Sequence, residues 1–494
     1  MNFFEMLLDQ LQKLQEGIPS RVVSVLGLIT FLFIAWVASN NRKKIKWKTV
    51  AWGIGLQWIF ALLVLKTSAG YAVFRWCSGA VNKLISFTAD GAGFVWGWLY
   101  GSQAHGEGHG MIFFVDILMT IIFFASLMAV LYHIGIMKWL VAGIAKLMRW
   151  TMGTSGSETF SASANIFVGQ TEAPLVVKPF INTMTMSELH AIMVGGFATV
   201  AGGVLAAYVG FGIDAGHLMS ASLMSAPAAL AMAKMFYPET ETSPTSGEVK
   251  LELEKTSVNI FDAACVGAGE GMKLVLNVAA MLLAFISLIA LLNYGFQEYQ
   301  LLLFPDSTPL ELQKVVGWVF APLAWLMGVP WEDCANIGEL LGIRMVLNEF
   351  VSYIEMGGKE LSPRAYIIAT YAFCGFANFS SIAIQIGGIS SIAPNRRQDL
   401  AKLGLRAMFA ATLASFLTAT VAGALLSDEQ MERDYYKNQA RVTKTVEEKI
   451  KHYDTFLEKY PNSQWAEEIR GLKEKVKREA APAPTPEIKT EGSE

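Results

Sequence analysis

Charged residues are scarce in this sequence. Only 16% of its 494 residues are Asp, Glu, Lys or Arg, whereas 53% are hydrophobic and the mean hydropathy is +0.39. Soluble domains carry about a quarter charged residues, so this composition excludes an ordinary soluble protein and indicates a polytopic membrane protein. The formal net charge of −3 also provides no basic surface for a nucleic-acid polymer.

Cysteine is equally sparse. The four cysteines, Cys77, Cys265, Cys334 and Cys374, are widely scattered without metal-ligand spacing, which favours small core residues over a metal or redox site. Residues 1–20 mix acids with bases and lack the basic start, apolar core and small-residue cleavage site of a secretory signal. We therefore expect an amphipathic N-terminal lead that is not cleaved.

Long apolar runs are what the sequence has in abundance. A membrane-spanning helix needs about 20 predominantly apolar residues. Eight segments meet this condition, namely Val22–Ser39, Val50–Leu65, Met111–Gly135, Leu189–Phe211, His217–Phe236, Leu274–Leu292, Ala365–Ile389 and Ala407–Leu426.

Basic loops set the predicted orientation. Residues 41–48 carry five Lys or Arg residues, which places this loop in the cytoplasm and both termini outside. Residues 71–100 are aromatic and glycine-rich and favour an interfacial or external helix. Residues 137–150 alternate basic and aromatic side chains around an apolar stripe, so we expect a helix lying on the inner membrane face.

Two further segments are too polar at their centres to cross the membrane as simple helices. Residues 155–185 contain Glu172, and residues 330–360 contain Glu349. A charged residue at the bilayer centre costs about 2.5–3.5 kcal/mol on insertion scales, so such acids usually face a cavity or a partner. Both segments are predicted to be re-entrant hairpins that enter and leave on the same side.

The two acidic segments belong to an internal repeat. Thr199 follows Glu172 by 27 residues, and Phe376 follows Glu349 by 27 residues. Both positions lie in small, polar, glycine-containing interruptions of an apolar stretch. Unwound backbone is tolerated in a membrane only where it lines protein or water, and paired broken helices indicate a transporter site near the midplane. We expect the two carboxylates to meet across that site.

Three motifs carry a family resemblance. Residues 169–175 (GQTEAPL), 348–353 (NEFVSY) and 375–381 (GFANFSS) resemble, in order, the motifs of the concentrative nucleoside transporters. The resemblance covers roughly residues 20–427. It implies an all-α homotrimer whose protomers have a scaffold subdomain and a mobile transport subdomain holding both hairpins, and symport of nucleosides with sodium or, in some bacterial members, with protons.

The resemblance also implies site residues, position by position. Gln170, Thr171 and Glu172 would address the nucleobase edge while Val204 and Phe376 pack on its faces, and Glu349, Asn378 and Ser381 would hold the ribose hydroxyls. Sodium would bind Asn165, Thr199 and the carbonyls of Val168 and Val200. No other cofactor is expected. Asn165 and Thr199 could instead make only structural hydrogen bonds, and Phe376 could be ordinary core packing.

The predicted organisation has six parts. They are the lead (1–20), scaffold helices (21–135), the first repeat with its interfacial helix (136–236), a cytoplasmic linker and long scaffold helix (237–306), the second repeat (307–427) and a soluble charged tail (428–494). In the tail, apolar stripes predict an αα-hairpin before a disordered end. The stripes are Val442, Val446, Ile450, Tyr453, Leu457 and Tyr460, then Trp465, Ile469, Leu472 and Val476.

The resulting hypothesis is a sodium-driven importer of nucleosides such as uridine, cytidine and adenosine, working by alternating access in a bacterial inner membrane. Proton coupling remains an alternative. A membrane enzyme using Glu172 and Glu349 as acid and base is disfavoured because the sequence contains no accompanying nucleophile, metal motif or phosphate-binding loop. A channel would need a continuous polar stripe along several spans, whereas here polarity is concentrated at two hairpin tips and two helix breaks.

Overall fold

The computed structural model describes residues 19–100, 112–245, 257–305, 310–443 and 445–480, which form helices and connecting turns without any strand. The predicted lead therefore lies almost wholly outside the described residues, as does the Pro-Ala segment after residue 480. The chain divides into two compact units, Met1–Leu426 and Ser427–Glu494.

The first unit begins with a scaffold of long helices followed by the first repeat. Its α-helices up to residue 236 are α1 (Ser20–Val37), α2 (Trp47–Lys66), α3 (Ser68–Trp96), α4 (Phe113–Asp116), α5 (Met119–His133), α6 (Ile136–Met152), α7 (Gly156–Ala164), α8 (Ala173–Val176), α9 (Met186–Ala198), α10 (Gly202–Gly210) and α11 (Ala215–Phe236).

The second part of this unit contains the second repeat. Its α-helices are α12 (Ile260–Leu303), α13 (Leu312–Leu326), α14 (Trp331–Val346), α15 (Glu349–Gly357), α16 (Pro363–Phe373), α17 (Phe379–Ile392) and α18 (Arg397–Leu425).

Membrane crossing is supported by length and composition. Within the described ranges, seven helical segments are long and apolar enough to span a bilayer, and one of them combines α9 and α10 as Met186–Gly210. The span predicted over 365–389 consists of two shorter helices, α16 and α17. The break between them contains Phe376, where an interruption of the apolar stretch was predicted.

Helix α12 is much longer than the sequence predicted. The apolar run 274–292 is only the middle of a helix of 44 residues, which at 1.5 Å per residue is about 66 Å long. It packs along α5 through Gly267 and Gly271, where a β-carbon would lie 2.7 Å from the Ala125 carbonyl oxygen and 2.8 Å from the Ile122 Cα, respectively. Small residues one turn apart permit this close helix contact.

Helix α6 is amphipathic, as the sequence predicted for residues 137–150. Met137, Val141 and Ala145 are buried, whereas Trp139 and Trp150 are 79% and 81% exposed. The apolar stripe therefore faces the protein, and the exposed tryptophans suit a membrane interface.

The internal repeat is visible as a repeated order of elements. A hairpin is followed by a helix that breaks near its middle and then by a long buried helix. In the first half these are the first hairpin (residues 156–183), α9–α10 and α11. In the second half they are the second hairpin (residues 331–357), α16–α17 and α18.

Helices α11 and α18 form the buried centre of this unit. In the most apolar 18 residues of each helix, 89% of the residues are buried in α11 and 83% in α18. Polar side chains join them to the scaffold helix α2, because Gln57 Nε2 donates to Thr418 Oγ1 (2.9 Å), and Ser225 Oγ lies 3.1 Å from the same oxygen. Such small polar groups hold helices together where water is absent.

The start of the linker predicted over 237–306 is folded onto the base of the first hairpin. Glu188 accepts hydrogen bonds from Ser243 Oγ (2.5 Å) and Thr245 Oγ1 (2.6 Å). Lys234 Nζ, also buried, lies 2.6 Å from Glu158 Oε2. The paired charges and hydroxyls satisfy one another, so this cluster fastens the hairpin base to α9 and α11.

The described residues of the second unit, 427–443 and 445–480, form three helices. They are α19 (Asp428–Val442), α20 (Val446–Lys459) and α21 (Ala466–Ala480). Its core comprises Ala440, Tyr453, Phe456 and Ile469. The predicted hairpin corresponds to α20 and α21, but Val442 and Val446 are 43% and 39% exposed because the chain turns there. A hydrogen bond to Glu432 raises the pKa of Lys459 on α20.

Candidate site at two hairpin tips and two helix breaks

The first hairpin reverses direction within a few residues. Helix α7 starts with a capping box between Ser155 and Glu158 and ends at Ala164. The chain turns at its tip, where the backbone N–H groups of Glu172 and Ala173 donate to the Gly169 carbonyl (3.1 and 3.0 Å). It returns through α8 and a 3₁₀ segment, so the polar tip residues are presented between the helices.

The two broken helices unwind at corresponding places. The first break, residues 199–201, separates α9 from α10, and the second break, residues 374–378, separates α16 from α17. Asn378 caps the N-terminus of α17, because its Oδ1 accepts the Ser381 N–H (2.9 Å). Each break leaves carbonyl groups at one helix end and N–H groups at the next.

The second break packs on the end of α9, directly before the first break. Gly375 in the second break has φ of +128°, and a β-carbon there would lie 2.8 Å from the Phe197 carbonyl oxygen and 2.9 Å from the Ala198 carbonyl carbon. Both the backbone conformation and the close approach require glycine at this position. Unwound backbone of the second repeat thus lies against the last residues of a helix of the first repeat.

Glu349 lies in a buried cluster beside the second break. Its carboxylate is 1% exposed and accepts hydrogen bonds from Tyr208 Oη (2.7 Å) and Asn378 Nδ2 (3.0 Å). Helix α15 begins at Glu349, so the carboxylate sits at a helix N-terminus, which favours negative charge. Elements of both repeats therefore hold this acid, since Tyr208 comes from α10.

The tip of the first hairpin is connected to α17. Gln170 Nε2 donates to Ser381 Oγ (3.2 Å), and Gln170 Oε1 accepts from Gln385 Nε2 (3.2 Å). Gln385 Nε2 also lies 3.1 Å from the Met193 carbonyl oxygen of α9. Gln170, Ser381 and Gln385 are buried. A chain of polar groups therefore links the first tip to the capped start of α17.

Close packing brings Thr171 to the same helix. A β-carbon at Gly388 of α17 would lie 2.8 Å from the Thr171 Cγ2, so the absence of a side chain at this position admits the tip. Val204, on α10, is 1% exposed, and Phe376, within the second break, is half-buried. The predicted nucleobase residues are distributed over the first tip, α10 and the second break.

Glu172 is hydrogen-bonded within its own loop. Its carboxylate accepts the Gly169 N–H (2.8 Å), and the side chain is exposed. The charges that act on it include Glu270 of α12, and no hydrogen bond connects it to Glu349 among the described residues. This local bond turns one oxygen of the tip carboxylate back onto its own loop, and the expected meeting of the two acids across the site stays a prediction.

The predicted sodium ligands lie at the end of α7 and at the first break. Asn165 is fully buried, its Nδ2 donates to the Ser161 carbonyl (3.1 Å), and its Oδ1 has no hydrogen-bond partner among the described residues. Thr199 Oγ1 donates to the Gly195 carbonyl (2.9 Å), which leaves the lone pairs of this hydroxyl available. A β-carbon at Gly195 would lie 3.1 Å from Asn165 Nδ2, so these two elements are in contact.

This region has the donor chemistry of a hard monovalent cation. Asn165 is C-terminal to α7, and Thr199 is C-terminal to α9, so the negative ends of two helix dipoles converge there. Val168 and Val200 are buried beside them. Amide, hydroxyl and carbonyl oxygens are suitable ligands for such an ion.

Three further buried residues of this region were not predicted from the sequence. Tyr208 binds Glu349, Gln385 joins Gln170 to α9, and Arg344 is buried at the end of α14. Tyr208 and Gln385 lie one helical turn from predicted residues, four residues after Val204 and four after Ser381, whereas Arg344 lies five residues before Glu349 on the other side of the tip. Polar residues at helical spacing from a predicted ligand were the available signal.

Paired re-entrant hairpins and paired broken helices around a buried polar site define a secondary transporter. Family models agree with this class. Residues 26–99 match the N-terminus of the Na+ dependent nucleoside transporters, residues 217–423 match their C-terminus, and residues 114–215 match the nucleoside recognition (Gate) model.

Individual relatives give the same result. Sodium/nucleoside cotransporter 1 of Rattus norvegicus is 41% identical over 434 residues, which are 84% of this chain and 65% of that protein. The Homo sapiens protein of the same name is 39% identical over 84% of this chain and 65% of its own length. This chain thus spans slightly less than two thirds of these relatives.

Solved structures are also similar. CNTnw in an inward-facing substrate-bound state is 40% identical, with a TM-score of 0.77 over 82% of this chain and 97% of that chain. A CNTnw variant in an outward-facing state gives a TM-score of 0.78 at 40% identity and the same coverage. The chain therefore belongs to the concentrative, Na+ dependent nucleoside transporter family, as its three motifs predicted.

We predict that Gly375→Ala destabilises the protein. The new β-carbon would meet backbone atoms of Phe197 and Ala198, and the positive φ adds strain of about 1–3 kcal/mol. The melting temperature of the purified full chain should fall. Gly387→Ala on α17 is the matched control, since a β-carbon there meets no atom within 4 Å. Equal melting temperatures for both variants would contradict the close packing of Gly375 on the end of α9.

Proposed function

We propose that this protein imports nucleosides together with sodium as a secondary active symporter. The observation that carries the proposal is the buried polar chain from Gln170 through Ser381 to Asn378 and Glu349, built from both repeats. Sodium/nucleoside cotransport is what the names of its relatives state, and CNTnw structures in inward-facing and outward-facing states match its fold.

In our proposal the ribose binds at the second hairpin. Glu349 can accept hydrogen bonds from vicinal hydroxyls, and Asn378 and Ser381 lie on the adjoining helix start. A carboxylate is suited to this task because it offers two acceptor oxygens and no donor. The Tyr208 and Asn378 bonds to Glu349 would hold its carboxylate in a fixed orientation before the sugar arrives.

The nucleobase is assigned to the first hairpin tip. The Gln170 amide can both donate and accept, which is what a base edge requires. Thr171 adds a hydroxyl, and Val204 and Phe376 supply apolar faces. Glu172 Oε2 accepts the Gly169 N–H, which leaves Oε1 as an acceptor for the base edge. We therefore assign all three tip residues, Gln170, Thr171 and Glu172, to the nucleobase.

Sodium is assigned to Asn165, Thr199 and the carbonyls of Val168 and Val200. Support for a cation rather than a proton comes from the buried, unpartnered Oδ1 of Asn165. Burying an acceptor without a donor is unfavourable, and an ion would compensate it. Because Asn165 belongs to the first hairpin and Thr199 to the break, a bound ion would fasten the tip in the shape that nucleosides require.

The proposed cycle is alternating access, in which the hairpins and broken helices move together against the scaffold helices. Sodium binds first and prepares the pocket, the nucleoside follows, and movement of the transport subdomain exposes the site to the other side. We further propose a homotrimer in a bacterial inner membrane with both termini outside. Uridine, cytidine and adenosine are the proposed substrates.

We expect radiolabelled uridine to accumulate in proteoliposomes when a sodium gradient is imposed. A symporter couples both fluxes, so collapse of the gradient should abolish accumulation. A proton gradient at symmetrical sodium should not replace it. Accumulation driven by protons alone would replace sodium with protons as the coupling ion, and flux independent of either gradient would contradict the symporter.

Glu349→Gln should weaken uridine binding about tenfold to a hundredfold. The change replaces a charge-assisted acceptor by a neutral amide, a loss of about 1.5–3 kcal/mol. The distinction between uridine and its 2′- or 3′-deoxy analogues should shrink as well, measured by competition in sodium-driven uptake.

The matched control is Glu339→Gln, which removes a carboxylate from the same hairpin, where it pairs with Lys359. It should leave discrimination unchanged. If Glu349→Gln distinguishes the deoxynucleosides as well as the parent protein does, the ribose assignment is wrong.

Thr199→Val should raise the sodium concentration for half-maximal uptake several-fold, since one ligand oxygen is lost. Thr199→Ser retains the hydroxyl and should behave like the parent protein. The measurement is uridine uptake against external sodium at constant ionic strength. An unchanged sodium dependence in Thr199→Val would exclude this residue from the ion site.

A further inference from the structure

One fully buried cation is not used by the proposed binding of nucleoside or sodium. Arg344, in the last turn of α14, is 1% exposed. Its Nη2 donates to Ser415 Oγ (3.2 Å) and lies 3.4 Å from the Gly375 carbonyl oxygen, while its Nε is buried without a hydrogen-bond partner. A buried charge is costly unless opposite charge and hydrogen bonds compensate it.

The first compensation comes from the second break. Ser415 Oγ, which accepts from Arg344, donates in turn to the Cys374 carbonyl (3.2 Å). Arg344 thus reaches the carbonyls of both Cys374 and Gly375, directly or through one hydroxyl. These groups follow the last residue of α16, where unpaired carbonyls and the helix dipole give negative potential.

The second compensation is Glu349. Arg344 and Glu349 are five residues apart around the second tip, and the guanidinium is among the groups whose charge acts on this carboxylate. No ion pair within 4.0 Å joins them in the described part of the chain. The carboxylate oxygens bind Tyr208 and Asn378 instead. Arg344 binds the break at Gly375 and Glu349 binds it at Asn378, so the two charges lie on the same break while the acceptor oxygens of Glu349 are not occupied by the guanidinium.

The first half has the same kind of break with different chemistry. Asn165, Thr199 and Ser161 are polar but uncharged there, and the Oδ1 of Asn165 and the Oγ of Ser161 are buried without partners among the described residues. These acceptors would be compensated by a cation that binds from solution. At the second break the positive charge comes from a side chain of the protein itself, Arg344 of α14.

We propose that Arg344 is a built-in counter-ion of the second repeat, which performs there the task that sodium performs in the first. It binds the unwound carbonyls of the second break and supplies positive charge to the break beside Glu349, while the carboxylate oxygens of Glu349 stay open to the substrate hydroxyls. This inference rests on the proposed function for the identity of the substrate. The interaction between Arg344 and Glu349, however, can be tested in the protein without nucleoside.

Thermal stability of the full chain without nucleoside tests the electrostatic part. Arg344→Met should lower the melting temperature, because a buried carboxylate loses its compensating charge. Glu349→Gln in the same chain should restore at least half of that loss. A double variant no more stable than Arg344→Met would overturn the proposal, including the case in which neither variant folds.

Arg364→Met is the matched control. Arg364 is also a buried arginine, 7% exposed, but it donates to the carbonyls of Gly328 (2.8 Å) and Gly423 (2.7 Å). Its replacement should also destabilise the protein, yet Glu349→Gln should not restore the loss. Equal rescue of both arginine variants would mean that Glu349→Gln is merely a general stabiliser, and the proposal would fall.

Uridine binding at saturating sodium tests the positioning role. Arg344→Met should bind at least tenfold more weakly, Arg344→Lys should stay within threefold of the parent, and in a Glu349→Gln background the effect of Arg344→Met should be under threefold. The sodium concentration for half-maximal binding should stay within twofold. A merely structural arginine would weaken binding equally in both backgrounds, and that result overturns the proposal.

Failure of the proposed function has a different signature. If the parent protein binds no uridine with sodium present, the substrate assignment is wrong. The stability comparison between Arg344→Met and its double variant would still decide the counter-ion role.

Discussion

Contact between unwound backbone of one repeat and a helix end of the other repeat is the constraint on which the site depends. Peptide groups inside a membrane must find partners within the protein, because the hydrocarbon offers none. Here the second break packs on the end of α9 at Gly375, and its free groups are taken up by neighbouring side chains. Asn378 caps the start of α17, and Ser415 donates to the carbonyl of Cys374, directly after the end of α16. The neighbouring residues therefore keep the backbone unwound, and the unwound backbone in turn holds the polar groups of the site in place.

The internal repeat explains why the site is composite. Each half contributes a tip and a break, and neither half closes a pocket alone. Glu349 of the second half is bound by Tyr208 of the first, and Gln170 of the first half is bound by Ser381 and Gln385 of the second. Such crossed bonds connect the tip of each half to a helix of the other half, so the polar groups of the two halves form a single hydrogen-bonded network.

The sequence was sufficient for the fold class, the repeat and the family. Acids within apolar runs and a common spacing of 27 residues reflect the physical cost of polar groups in lipid, and this cost acts on every such protein. The sequence did not show in which direction the side chains of the site point. Glu172 is turned onto the Gly169 N–H, an outcome of local loop geometry that a one-dimensional pattern does not contain.

The residues that sequence reasoning missed have a similar explanation. Tyr208 and Gln385 read as parts of apolar helices, and their roles depend on partners 141 and 215 residues away. Arg344 flanks an apolar run in the sequence, and nothing in that pattern shows that the structure buries it. The third helix of the tail, α19, was missed because charged and polar residues dominate its sequence, and Ala440 and Tyr436, which it contributes to the tail core, form no recognisable stripe.

The length of α12 has a consequence for the membrane around the protein. A helix of 44 residues, about 66 Å long, is more than twice as long as a hydrocarbon layer of about 30 Å is thick. Its outward leucines, among them Leu276, Leu283 and Leu291, span only about 23 Å, so acyl chains can cover them while both ends of the helix project beyond the hydrocarbon. A change in bilayer thickness would therefore alter how much of this helix lies among the acyl chains.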